Sequence, residues 1–336
     1  MRPEQRVFPL ITDHSALRTS SPIPGLALRP FPPQHPARKN HFMDIWKAIL
    51  LGLIEGITEY LPVSSTGHLI VAQRLMHIGT TTDADKLAAD CFAICIQGGA
   101  ILAVLGLYWK HVWKMIKGVF GQDSEGLKLA SAVIVGFLPA AVFGLLLNDI
   151  IEEKLFGLWP VIFAWVAGGF AILWTVNYRR KNPPRGNGRD ILKLTWKMAL
   201  FIGVLQCVAM WPGTSRSLMT ICGGLLMGLS IKAAVEYSFL LGVVTLTAAT
   251  AKKAVWKIEG AGVEFDVWFG GSKLMWETYG PVPLIVGILA ATISAAFAVK
   301  WLVKYLQSHG LAVFGYYRIA LGVIIAALLL TNTLQP

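Results

Sequence analysis

Two carboxylates and an imidazole cluster early in the apolar part of the chain, and a guanidinium flanked by hydroxyls stands in its second half. Glu55 and Glu59 are four residues apart, a spacing that stacks them on one helix face and lets them share a cation or a proton. Beyond a proline break, the run Pro62-Val63-Ser64-Ser65-Thr66-Gly67-His68 allows His68 to face back toward them. The later run Pro212-Gly213-Thr214-Ser215-Arg216-Ser217, with Thr220 following, reads as an anion cradle. Arginine offers a planar fork to phosphate oxygens, hydroxyls add donors, and unpaired N–H groups at a helix start add partial positive charge. The bland alternatives are an interfacial acidic face with a buried histidine, and a capped helix with a snorkelling arginine. Both fit poorly inside apolar runs, where an ionisable group costs about 2.5–3.5 kcal/mol on insertion scales.

Those runs set the class. Of 336 residues, 55% are hydrophobic and 15% charged, with a mean hydropathy of +0.58; a soluble domain carries about a quarter charged residues. An all-α polytopic membrane protein is expected, the lipid bilayer being its first partner. The net charge of +11 lies in short loops between apolar stretches, as the positive-inside bias requires, so nucleic acid is not an expected partner. Cys91, Cys95, Cys207 and Cys222 lack the spacing of a zinc site or disulfide framework.

Residues 1–42, rich in proline and scattered arginine, are expected to be disordered or a non-native extension, with Met43 the candidate start. Residues 43–336 then form one membrane domain of two repeats, about 44–178 and 190–333. Each repeat opens with a broken helix pair too short to span. In the first, Ile45 to Leu61 is interrupted at Pro62 and continues to about Ile78; in the second, Trp196 to Trp211 is interrupted at Pro212-Gly213 and continues from Ser215 to Leu229. Three full spans follow each pair: Asp90–Trp109, Lys128–Asn148 and Leu158–Asn177, then Ala234–Ala251, Pro281–Val303 and Leu311–Thr331. Short interrupted pairs at corresponding places point to an inverted-topology repeat with re-entrant helices and a midplane site. Loop charge agrees where Lys110 to Lys117 and Arg179, Arg180, Lys181, Arg185, Arg189 and Lys193 fall inside and Asp83, Asp85, Glu152 and Glu153 outside. Lys252, Lys253 and Lys257 disagree, although Glu259, Glu264, Asp266 and Glu277 dilute them.

The run from Glu55 to His68 resembles the first signature of the undecaprenyl-diphosphate phosphatase, or bacitracin-resistance, family, and Pro212 to Thr220 resembles its second. The similarity extends through Gln97 to Val104 and Glu236 to Leu241, covering the chain from Asp44 onward. Leu218 and Val244 depart from it, standing where the family usually has glycine and proline. The resemblance implies hydrolysis of undecaprenyl diphosphate to undecaprenyl phosphate, which recycles the cell-wall carrier lipid and gives bacitracin resistance. It also implies a bacterial inner-membrane location with the site toward the periplasmic or outer face. On that basis the catalytic candidates are Glu55, Glu59, Ser65, His68 and Arg216. Ser64, Thr66, Thr214, Ser215, Arg216, Ser217 and Thr220 would bind phosphate. Glu55 and Glu59 would hold a divalent cation, Mg²⁺ or Ca²⁺, or position water. Ser65, His68 and water compete for the role of nucleophile.

Two alternatives stand beside this. An acid-phosphatase type of lipid phosphatase would need a histidine where Cys222 stands. A polyprenyl-phosphate flippase or transporter would use the same architecture, alone or together with hydrolysis. Oligomeric state is open at this level, a homodimer included.

Overall fold

The computed structural model describes residues 43–334 except 148–150, 152–153, 156, 185 and 256–269. The expectations for residues 1–42, for the span end at Asn148, and for the loop charges of Glu152, Glu153, Arg185, Lys257, Glu259, Glu264 and Asp266 lie outside the described residues.

Among the described residues the regular elements are helical, apart from a single bridge between Arg189 and Leu229. The first short pair is α1 (Ile45–Thr58) and α2 (Ser65–Leu75). Next come α3 (Asp83–Leu107), α4 (Trp109–Val119), α5 (Ser124–Leu146) and α6 (Leu158–Lys181). A 3₁₀ turn (Ile191–Lys193) leads to the second short pair, α7 (Trp196–Val208) and α8 (Arg216–Leu226). The chain finishes with α9 (Ile231–Val255), α10 (Gly270–Tyr279), α11 (Pro281–His309) and α12 (Ala312–Leu330). Six of these, α3, α5, α6, α9, α11 and α12, are long and apolar enough to cross a bilayer.

Several boundaries shift from the sequence expectation for local reasons. Helix α3 begins at Asp83 because Thr82 caps it, its hydroxyl accepting from the Asp85 N–H at 3.1 Å, and two acids occupy its positive first turn. Asp123 caps α5 in the same way through the Gly126 N–H at 2.8 Å. The basic loop at Lys110 to Lys117 is itself helical: α4 exposes Trp109, Trp113 and Ile116 and packs against α5, the form of an interfacial amphipathic helix.

The two halves pack by exchange. Helix α11 of the second half lies along α1 of the first, and α5 of the first lies along α7 of the second; α3 meets α9 and α6 meets α12. Close approach in the two hairpin contacts depends on matched glycines. A Cβ on Gly52 of α1 would run into the Gly287 carbonyl of α11, and one on Gly203 of α7 into the Gly136 carbonyl of α5.

Candidate active site

The site forms where α1 gives way to α2 and α7 to α8. Pro62 offers no backbone donor, and Gly213 takes φ +94° in a place where a Cβ would strike the Val161 backbone. Ser64 (φ 73°, ψ 99°) and Ser215 (φ 77°, ψ 116°) then adopt nearly the same unusual conformation. Positive φ in a non-glycine residue costs on the order of 1–3 kcal/mol and persists where surrounding structure imposes it. Each serine caps the helix it opens: Ser64 Oγ accepts from the Gly67 N–H at 3.4 Å and Ser215 Oγ from the Leu218 N–H at 3.3 Å. Ser65 and Arg216 are therefore the first residues of α2 and α8, where free N–H groups concentrate positive potential.

These two first residues meet through Glu59. Its Oε1 lies 3.0 Å from Arg216 Nη2, and its Oε2 accepts from Ser65 Oγ at 2.5 Å and from Gln97 Nε2 at 3.4 Å. Arg216 Nη1 donates to the Ser238 carbonyl at 2.9 Å, while its guanidinium carbon sits 5.4 Å from the centre of the Tyr60 ring. Gly242 of α9 makes room for it, since a Cβ there would overlap the guanidinium. The ion pair is buried, with 5% of the Glu59 side chain and 9% of the Arg216 side chain exposed. A buried pair returns little net stability because desolvating both charges offsets their attraction, so its presence points to chemistry rather than to folding. Three of the seven buried polar atoms without a partner among the described residues cluster here: Glu55 Oε1, Tyr60 Oη and Arg216 Nε. Polar atoms of this kind are open to a further hydrogen-bond partner.

The hydroxyls divide by task. Ser217 Oγ reaches across to the Leu61 carbonyl at 2.8 Å and shares a 2.9 Å bond with Ser215 Oγ, tying the two tips together. Thr220 bonds the Ser238 hydroxyl at 2.6 Å and so braces the carbonyl that holds Arg216. Ser64 and Thr214 are buried in the turns, and Thr66 is exposed. Leu218, the family departure, is fully buried behind the site.

Glu59 and Arg216 are bonded directly, each the other's counter-charge, and one expectation on geometry changes. His68 does not face the carboxylates. Its Nδ1 is 2.7 Å from the Ser64 carbonyl and its Nε2 is 2.8 Å from Tyr317 Oη, with the ring stacked on Tyr317 and tilted against Trp165. A carbonyl only accepts, so the proton sits on Nδ1, and in the neutral ring Nε2 accepts from the phenol. The carboxylate that Ser65 touches is that of Glu59.

Sequence reasoning did not single out Tyr317 or Arg318, and it took in Tyr60, Gln97 and Ser238 only within the runs that carry the resemblance. Arg318 carried a usable signal, an isolated cation in the middle of the last apolar span.

Residues 48–324 match the family described as bacitracin resistance protein BacA. The chain is 41% identical over 278 residues to an undecaprenyl-diphosphatase of Sorangium cellulosum, covering 83% of this chain and 84% of that protein. It is 41% identical over 281 residues to undecaprenyl-diphosphatase 2 of Rhodospirillum rubrum, covering 84% and 93%. It is also 37% identical over 279 residues to an undecaprenyl-diphosphatase of Bradyrhizobium diazoefficiens, covering 83% and 95%. A polytopic membrane chain with two broken helix pairs, whose family match covers both breaks, belongs to the bacitracin resistance protein BacA family.

Proposed function

We propose that this chain hydrolyses undecaprenyl diphosphate to undecaprenyl phosphate and inorganic phosphate, in the bacterial inner membrane and at a site open to the outer face. The observation that carries the reading is the shared carboxylate: Glu59 accepts from the Ser65 hydroxyl with one oxygen and pairs with Arg216 through the other. A nucleophile, its base and a phosphate clamp are thereby within bonding distance of one another.

Arg216 keeps its anchor on the Ser238 carbonyl and offers the unpartnered Nε–H to the terminal phosphoryl oxygens. The starts of α2 and α8 add backbone donors toward the same anion. Ser65 Oγ bonds to the terminal phosphorus as its proton passes to Glu59 Oε2, and the bond to the bridging oxygen breaks with its electron pair leaving on undecaprenyl phosphate. Glu59 hands that proton to the departing phosphate, takes one from an attacking water, and returns it to Ser65 Oγ as inorganic phosphate leaves. His68, bonded to the Ser64 carbonyl and Tyr317, orients the turn that presents Ser65.

A divalent cation suits the unpartnered Glu55 oxygen, since Glu55, Glu59 and the Gln97 amide make an oxygen donor set of the kind Mg²⁺ or Ca²⁺ prefers. Among the described residues no three or more His, Cys, Asp or Glu are grouped so as to hold a metal ion, so such an ion would share its shell with substrate oxygens. Bound there, it would supply charge neutralisation to the diphosphate. The transport alternative draws no support from the relatives, whose names are those of diphosphatases.

The test is phosphate release from undecaprenyl diphosphate in detergent, followed by rapid quench. Label on Ser65 is the expected result. Label on neither side chain would assign the attack to water, and label on His68 would overturn the proposed roles.

A further inference from the structure

Arg318 is a fully buried guanidinium in α12 that no carboxylate pairs among the described residues. All four of its bonds go to backbone carbonyls. Nη1 donates to Pro62 at 3.3 Å, Nη2 to Gly213 and Ala164 at 2.8 Å each, and Nε to Trp165 at 3.2 Å. Pro62 and Gly213 are the break points of the two short helix pairs, two residues before the capping serines Ser64 and Ser215. A broken helix leaves carbonyls without intrahelical partners, and at membrane depth no bulk water satisfies them. One side chain answers both breaks.

We infer that Arg318 is a positioning residue for the proposed phosphatase reaction, a clamp that holds the two hairpin tips at the spacing Ser65, Glu59 and Arg216 require. The inference rests on the site reading given above. Three further observations support it. Gly168 of α6 leaves the space for the guanidinium, since a Cβ there would overlap its Nη2 and lie 2.8 Å from its Cζ. The preceding residue, Tyr317, holds His68, so adjacent residues of α12 reach both ends of the first turn: the Pro62 carbonyl and, through His68, the Ser64 carbonyl. The planar five-donor fork is also what the task needs, because an ammonium cannot span carbonyls from three segments at once.

The experiment measures steady-state phosphate release by purified, monodisperse protein. Wild type is compared with Arg318→Met, Arg318→Lys, Gly168→Ala and the double variant Arg318→Lys with Gly168→Ala, with Arg216→Ala in parallel. A residue that merely helps folding lowers the yield of monodisperse protein and leaves kcat per folded molecule unchanged. A positioning residue lowers kcat and leaves KM nearly unchanged, since misplacement of reacting groups by about 1 Å costs on the order of 10²-fold. The expected result is a kcat loss of that order for Arg318→Met, a smaller loss for Arg318→Lys, and a loss for Gly168→Ala that shrinks in the Arg318→Lys background, where the bulky fork is gone. Should Arg318→Met fail to purify, the Lys and Gly168 variants carry the test alone. Wild-type kcat in Arg318→Met, or in both Arg318→Lys and Gly168→Ala, overturns the inference while an inactive Arg216→Ala leaves the site reading standing. Full activity in Arg216→Ala sinks the site reading and this clamp with it.

Discussion

The two broken helix pairs share a backbone and differ in chemistry. Both put a positive-φ serine at the turn, cap an eleven-residue helix with its hydroxyl, and seat the incoming helix on the other half through a glycine. Counting back from the capping serines, Glu55 corresponds to Gln206 and Glu59 to Met210; counting forward, Ser65 corresponds to Arg216. The supporting bonds fall on different positions, since Gln97 reaches Glu59 while Thr245 Oγ1 donates to Gln206 Oε1 at 3.3 Å. The first half carries the carboxylates and the Ser65 hydroxyl and the second carries the guanidinium, so on the proposed reading neither half holds a complete site. The two matching turns supply two helix starts, and the side chains that differ between them make them complementary.

The comparison breaks most visibly at the cation. Arg216→Ala is expected to lower phosphate release by on the order of 10³ or more, the scale at which a transition-state arginine acts. Glu59→Gln follows, with a loss on the order of 10²–10⁴ for a general base; leaving Arg216 buried without its counter-charge adds a destabilisation of about 3–5 kcal/mol, readable as a lowered Tm. Gly242→Ala touches no reacting group but pushes a methyl into the Arg216 guanidinium, and a loss on the order of 10² in kcat with KM little changed is expected. Chelator in the assay should reduce turnover, with recovery on adding Mg²⁺ or Ca²⁺; a rate untouched by chelator would remove the cation from Glu55 and Glu59. The smallest effect belongs to the second-half counterpart. Gln206→Leu should leave turnover unchanged and shift stability by less than about 1.5 kcal/mol, because it replaces one weak buried bond with apolar volume. A collapse of activity there would mean that the two halves contribute acid-position chemistry equally.

Much of this was legible in the sequence because it depends on local spacing. Pro62 and Pro212-Gly213 announce breaks, the four-residue step from Glu55 to Glu59 announces a shared face, and six apolar runs announce spans. What was not legible depends on which helices meet. Nothing in the neighbourhood of Ser238 or Gly242 says that a guanidinium from another helix will rest on that segment. From its place in the sequence His68 can face the carboxylates, yet its ring bonds instead to Tyr317, far along the chain. The helices α4 and α10 were missed because a short amphipathic or mixed segment between spans reads as a charged loop. Arg318 was the avoidable omission, since its type and depth alone marked it.

The central claim, that acid and cation from opposite halves work as one unit, is tested most directly by a double-mutant cycle on phosphate release using Glu59→Asp and Arg216→Lys. Each conservative change should cost on the order of 10²-fold, and the pair together little more than either alone, because each already breaks the same contact. Losses that multiply in the double variant would contradict the account.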